Sequence, residues 1–217
     1  MMPHGFSYYI SQIVSVVFHP LLMPFHGMII LIMSVYLSGE ANRYLMAAVL
    51  GSTARVTLLW TFIIPLAFIL VLLFLGRITS ISMPEQSDRH LPYFACSVCY
   101  MVWCAKLWMA HVPVEWLLTA MGGTLALLVV AAVNRHWKIS AHATGVGGVL
   151  GSVLAYSVAS GWYSWTLLLT VAFITIAVMW ARIRLERHTP LQVSAGWLTG
   201  LLCTLLPVYI YSKTVLY

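Results

Sequence analysis

Two short segments carry residue types and spacings suited to a compact anion. The first is Lys138-Ile139-Ser140-Ala141-His142, ahead of a long apolar run. Ser is a good N-cap, so Ser140 starts a helix whose first N–H groups face the loop. A helix N-terminus is a ready anion site, and Lys138 and His142 flank this one. The second segment runs Arg182-Ile183-Arg184-Leu185-Glu186-Arg187-His188-Thr189-Pro190-Leu191-Gln192. Thr189 as N-cap, Pro190 in the first turn and Gln192 at the third position spell another helix start. His188 sits just before that start, and Arg182 lies six residues earlier. A third segment, Asp88-Arg89-His90-Leu91-Pro92, adds a further cation. Taken singly, each also reads as ordinary edge structure: a cap, a basic anchor among headgroups, an exposed turn.

The elements that must position these residues follow from composition. Hydrophobic residues make up 62% of the 217 and charged residues 7%. A soluble domain carries about 25% charge, and the apolar surface left over here would aggregate in water. Lipid is therefore the solvent for most side chains. The fold class is all-α: a polytopic membrane helix bundle of about seven spans, forming a single integral membrane domain over 1–217. Apolar run length sets the spans at Leu21–Leu37, Ala54–Leu75, Tyr93–Ala110, Val114–Val133, Ala141–Ala159, Trp162–Trp180 and Pro190–Tyr211. Pro65 predicts a kink in the second span. His19-Pro20 and Pro24 break helical bonding, so residues before Pro24 form a separate short helix, interfacial or partly inserted. Met1 to Tyr9 has no Lys or Arg, so no cleavable signal is expected.

Loops after even-numbered spans share one side of the membrane. Gly76–Pro92, Asn134–Ser140 and Ala181–Thr189 therefore converge on one face, while the opposite loops, His111–Pro113 and Ser160-Gly161, are too short to hold a site. Gly147-x3-Gly151 and Gly196-x3-Gly200 have the spacing that lets helices approach closely in lipid, which sets the fifth and seventh spans side by side.

The formal charge of +6 has a local origin in Arg77, Arg89, Arg135, Lys138, Arg182, Arg184 and Arg187. A diffuse basic surface would suit nucleic acid or anionic lipid; cations gathered on three loops suit a compact anion, though charge alone leaves both open. The four cysteines lie inside apolar runs, and Cys96-x-x-Cys99 reads as packing. Ionisable residues sit at span ends, with Lys106 and Arg55 drifting inward, which disfavours a transporter. His142 and His188 stand among cations, which disfavours a metal or haem.

Together the three segments resemble the type 2 phosphatidic acid phosphatase superfamily. That family is marked by Lys-x6-Arg-Pro, Pro-Ser-Gly-His and Ser-Arg-x5-His-x3-Asp. The third motif stands here as Ala181-Arg182-x5-His188-x3-Gln192, the second as Ile139-Ser140-Ala141-His142, and the first only as Arg89 with Pro92 displaced by two residues. The resemblance covers about Arg89 to Gly200, within a core spanning 54–212; the N-terminal region, 1–53, has no counterpart.

The resemblance implies a metal-independent lipid phosphate or pyrophosphate phosphatase with no cofactor, a phosphate-bearing lipid as substrate, and no nucleic acid partner. It implies that His188 is the nucleophile and His142 the acid and base, with Arg89, Lys138, Ser140 and Arg182 holding the phosphate. Gln192 replaces the carboxylate that orients the nucleophilic His; a Gln carbonyl still accepts a hydrogen bond without matching positive charge. The lost charge-assisted bond is worth about 1.5–3 kcal/mol, roughly ten- to a hundredfold in rate. Gln192 is alternatively spent on the Thr189 cap, with Glu186 a substitute carboxylate. The motif's Lys would fall near Ser82, leaving Arg77 or Lys138 to supply that charge. A catalytically impaired lipid-phosphate-binding relative is the alternative reading. The positive-inside rule would put the basic loops in the cytoplasm; the resemblance points to the outer face of a bacterial cytoplasmic membrane.

Overall fold

Apolar run length and helix-breaking residues set the element order. The computed structural model describes residues 5–39, 43–81, 83 and 85–215. Helix α1 (Phe6–Val17) stops short of Pro20, because the residue before a proline avoids helical backbone; His19 is extended, with φ −64° and ψ 139°. A single 3-10 turn, Pro20–Leu22, leads into α2 (Met23–Ser38), whose Pro24 sits in the first turn, where no N–H is needed. Gly39 ends α2 in the left-handed region at φ 77°. The short N-terminal helix expected from the proline pair is therefore present, and α2 is the first expected span.

The second expected span, Ala54–Leu75, falls on the end of α3 (Arg43–Leu58), which begins before the expected bound, and on α4 (Ile64–Phe74), the two joined by a π-helical turn at Leu59–Ile63. Pro65 lacks an N–H, so the expected disturbance takes the form of a π turn just before it. There follow α5 (His90–Met109), α6 (Val114–Val133), α7 (Ala141–Ser160), α8 (Trp165–Arg184) and α9 (Pro190–Val215). The described residues form no strand. Among the described residues, six helical stretches are long and apolar enough to cross a bilayer. The third expected span, α5, forms over 20 residues but falls outside those six; Lys106, Ser97 and His90 dilute its apolar content.

Helix α7 is the centre of the bundle, packed against α9, α8, α2 and α6. It has the lowest mean hydropathy of the six stretches, 1.3, and the highest share of buried residues, 61%. Helices that face lipid need apolar surface; a helix surrounded by protein needs small side chains instead. By contrast α8, at 22% buried, exposes Leu169, Phe173 and Ile176.

The glycine spacing is what seats α9 on α7. A Cβ on Gly200 would run into the Thr144 carbonyl oxygen and come within 2.7 Å of the Gly148 nitrogen; one on Gly147 would strike the Trp197 carbonyl. One on Gly151 would lie 2.6 Å from the Leu201 carbonyl, and one on Gly196 2.5 Å from that of Ser140. This last contact brings the start of α9 to the start of α7, so the segments preceding both helices share one end of the bundle.

Candidate active site

The three basic loops meet. Between the α4–α5 and α6–α7 loops, Gln86 donates to the Asn134 carbonyl and Asn134 donates back to the Gln86 carbonyl at 3.3 Å. Between the α6–α7 and α8–α9 segments, Ser140 N donates to the Gln192 carbonyl at 3.3 Å, and His188 meets the Lys138 carbonyl at 3.2 Å.

His188 is 7% exposed. Its Nδ1 faces two oxygens, the Lys138 carbonyl and Gln192 Oε1 at 3.3 Å. Both are acceptors, so Nδ1 carries the hydrogen and Nε2 keeps its lone pair. Gln192 Oε1 also accepts from Thr189 N at 3.1 Å, while Gln192 N donates to Thr189 Oγ1 at 3.3 Å. This is a reciprocal capping box, and it fixes which end of the amide is oxygen. The two expected uses of Gln192, cap and histidine partner, coexist. Burial, then the Arg182 and Arg89 guanidiniums, hold the His188 ring down at about 4 instead of 6.5, against the opposing pull of its two oxygen partners. The ring is therefore neutral near pH 7. Glu186 stands apart: it is exposed, on left-handed backbone at φ 54°.

Ser140 is fully buried and caps α7, its Oγ accepting from Ala143 N at 3.4 Å. Its hydroxyl is thus engaged in the helix start, as its position in the sequence requires. Arg89 is not the exposed turn residue its local sequence suggests. It is 8% exposed, with Nε donating to the Met83 carbonyl at 3.0 Å. Asp88 accepts from both the backbone and the hydroxyl of Thr79, pinning the loop before Arg89; those bonds hold the Asp88 carboxyl below its usual range. Lys138 contributes its carbonyl to His188, and its ammonium, half-buried, is pushed down by burial first and then by Arg89, with Glu85 opposing. Ser82 lies outside the described residues.

Arg182 donates through Nη1 to Ser15 Oγ at 3.2 Å, but its buried Nε has no partner among the described residues. Its charged neighbours are Arg187 and Arg89, both cations. A buried donor without an acceptor is rare in folded proteins, and a buried guanidinium beside like charges calls for an anion.

The N-terminal region supplies what the motifs do not. His142 Nε2 lies 3.1 Å from the Ser15 carbonyl, so Nε2 is the protonated nitrogen. Ser15, near the end of α1, thus engages His142 through its carbonyl and Arg182 through its hydroxyl. Arg184 Nε donates to Ser7 Oγ at 3.3 Å, tying α1 to α8. His19 packs edge-on against His142, with ring centres 5.7 Å apart, and burial followed by Arg182 holds His19 below its usual value. None of this was legible from the motifs: a serine and a histidine in an apolar N-terminal stretch carry no spacing signal toward residues far along the chain.

All four cysteines are free, with Cys96 and Cys99 buried as packing residues. Comparison with known proteins gives no matching family model, curated protein or solved structure.

Proposed function

We propose that this chain hydrolyses a lipid phosphomonoester or diphosphate through a phosphohistidine intermediate. The observation that carries the reading is the buried, unpartnered Nε of Arg182 in a cluster of cations beside a neutral His188. An oxyanion is the group that satisfies the donor and offsets the like charges.

His188 Nε2 attacks phosphorus in line, forming a P–N bond as the P–O bond to the lipid breaks. His142, charged to imidazolium once the phosphate anion is bound, gives its Nε2 proton to the departing oxygen and is left neutral. Water then attacks the phosphohistidine, His142 takes a proton from it, the P–N bond breaks and phosphate leaves. Arg182, Arg89 and Lys138 neutralise the equatorial oxygens as charge develops. The departing oxygen competes with the Ser15 carbonyl for the His142 N–H, so the N-terminal helix gives up that bond at each turnover. In this reading the site faces outward from a bacterial cytoplasmic membrane.

The test is phosphate release from a panel of lipid phosphates and diphosphates by the purified protein, beside His188→Ala. Release abolished by the substitution and by vanadate supports the reading. Vanadate or phosphate binding without release favours a second reading, a lipid-phosphate-binding protein without turnover. That reading draws on Gln192 in place of a carboxylate and on Ser15 holding both His142 and Arg182.

A further inference from the structure

Below the cation cluster the bundle contains an apolar cavity of about 140 Å³, and we infer that it receives a single hydrocarbon chain of the lipid whose phosphate occupies the site. This rests on the lipid phosphatase reading and names the part of the substrate that reading leaves open. The cavity begins at the site. Ala141, between Ser140 and His142, lines it, as do Pro20, next to His19, and Tyr93, whose hydroxyl interacts with Arg89.

From there it runs toward the opposite face. Its lining on α6 extends from Val130 back to Trp116, 14 residues apart in sequence, and Trp103 lines its far end. At 1.5 Å per residue that is about 21 Å, most of a hydrocarbon core of about 30 Å. A volume of about 140 Å³ drawn out over that length leaves no room for two chains side by side. The preferred substrate is therefore a single-chain lipid phosphate or diphosphate.

The wall is dry by construction. Thr144 donates to the Ser140 carbonyl, Ser152 and Thr204 to that of Gly148, and Thr119 to that of Glu115. Trp103 Nε1 donates outward to Thr57 Oγ1 at 3.0 Å. The Ser and Thr hydroxyls along the cavity are thus spent on helix carbonyls, and water would find few partners. Apolar cavities of this volume stay empty of water and take up hydrocarbon ligands.

The inference is tested with the full-length protein in phosphatidylcholine nanodiscs, using a single-chain lipid phosphate that bears a photoactivatable diazirine at the far end of its chain. Labelling at Trp103, Trp116 or their neighbours is expected. Labelling on the lipid-facing residues Leu169 and Phe173 of α8 would overturn the inference, whether or not phosphate is released. A second measurement uses Gly123→Leu. Gly123 lines the cavity, and a Cβ there meets nothing within 4 Å. The variant should lose about tenfold or more in kcat/KM on the long-chain substrate relative to its kcat/KM on a water-soluble aryl phosphate that carries no chain. Equal rates for Gly123→Leu and wild type on the long chain would also overturn it. Labelling inside the cavity with no release from any substrate would keep the chain site and sink the phosphatase reading instead.

Discussion

Gln192 Oε1 stands 3.3 Å from His188 Nδ1 while accepting the Thr189 N–H at 3.1 Å, so one amide oxygen both closes the cap of α9 and orients the imidazole. A glutamate has the same reach and serves equally at this capping position. Gln192→Glu should therefore keep the helix start and add the charge that matches an imidazolium. The expected outcome is a rise of about tenfold in kcat for phosphate release, from a charge-assisted bond worth roughly 1.5 kcal/mol more. Gln192→Ala should lose rate and lower the thermal midpoint together. A Glu variant slower than wild type would show that Gln192 acts through the cap alone.

The histidines set the response to acid. His188 titrates at about 4 in the fold against 6.5 unfolded, and His19 is lowered as well. Between those values the unfolded chain binds protons that the folded chain refuses. Stability from these groups is complete above about pH 6.5 and declines as pH falls toward 4. Thermal midpoints in detergent should drop from pH 7 to about pH 4.5. His188→Asn should shrink that drop without abolishing it, since His19 contributes. In the same range the acid limb of kcat/KM should extend well below pH 6, because the His188 ring stays neutral.

Ser15 holds Arg182 through its hydroxyl and His142 through its carbonyl. Ser15→Ala removes the first contact and keeps the second. Arg182 then no longer gives up a partner to bind an anion, and vanadate should bind roughly two- to tenfold more tightly, in line with one hydrogen bond to a charged group partly offset by solvation. Weaker binding would make the Ser15 hydroxyl a phosphate ligand in its own right. Isothermal titration in nanodiscs distinguishes the two.

The parts of this site that were legible in the sequence are local or periodic. Ser140 and the Thr189–Gln192 pair announce helix starts because capping is settled within four residues. Gly147, Gly151, Gly196 and Gly200 announce the α7–α9 contact because backbone approach in lipid needs small residues at helical spacing. What was illegible rests on backbone groups and distant chain segments. The Lys138 carbonyl reaches His188 across 50 residues, and Ser15 reaches His142 and Arg182 across 127 and 167. A carbonyl oxygen has no residue-type signature, and a lone serine in an apolar helix does not reveal its partner. Arg89 looked exposed for the same reason: its burial depends on loops from elsewhere in the chain.

Close backbone approach makes a sharp stability contrast. Gly200→Ala places a methyl group against the Thr144 carbonyl and the Gly148 nitrogen, and rigid backbone cannot yield cheaply. A loss of about 1–3 kcal/mol or more is expected, seen as a lower thermal midpoint and loss of a monodisperse peak on size exclusion. Gly123→Ala, where the added carbon meets nothing within 4 Å, should be neutral or slightly stabilising, as replacing a helical glycine with alanine usually is.

The central claim is that His188 becomes covalently phosphorylated. The direct measurement is rapid mixing with a single-chain lipid diphosphate, quenching in base, and peptide mass spectrometry. The account predicts an acid-labile phosphoryl group on His188 that forms before free phosphate appears, is lost in His188→Ala and accumulates in His142→Ala, where the water-activating base is gone. Steady phosphate release from wild type with no phosphoryl group on His188 at any quench time would contradict it.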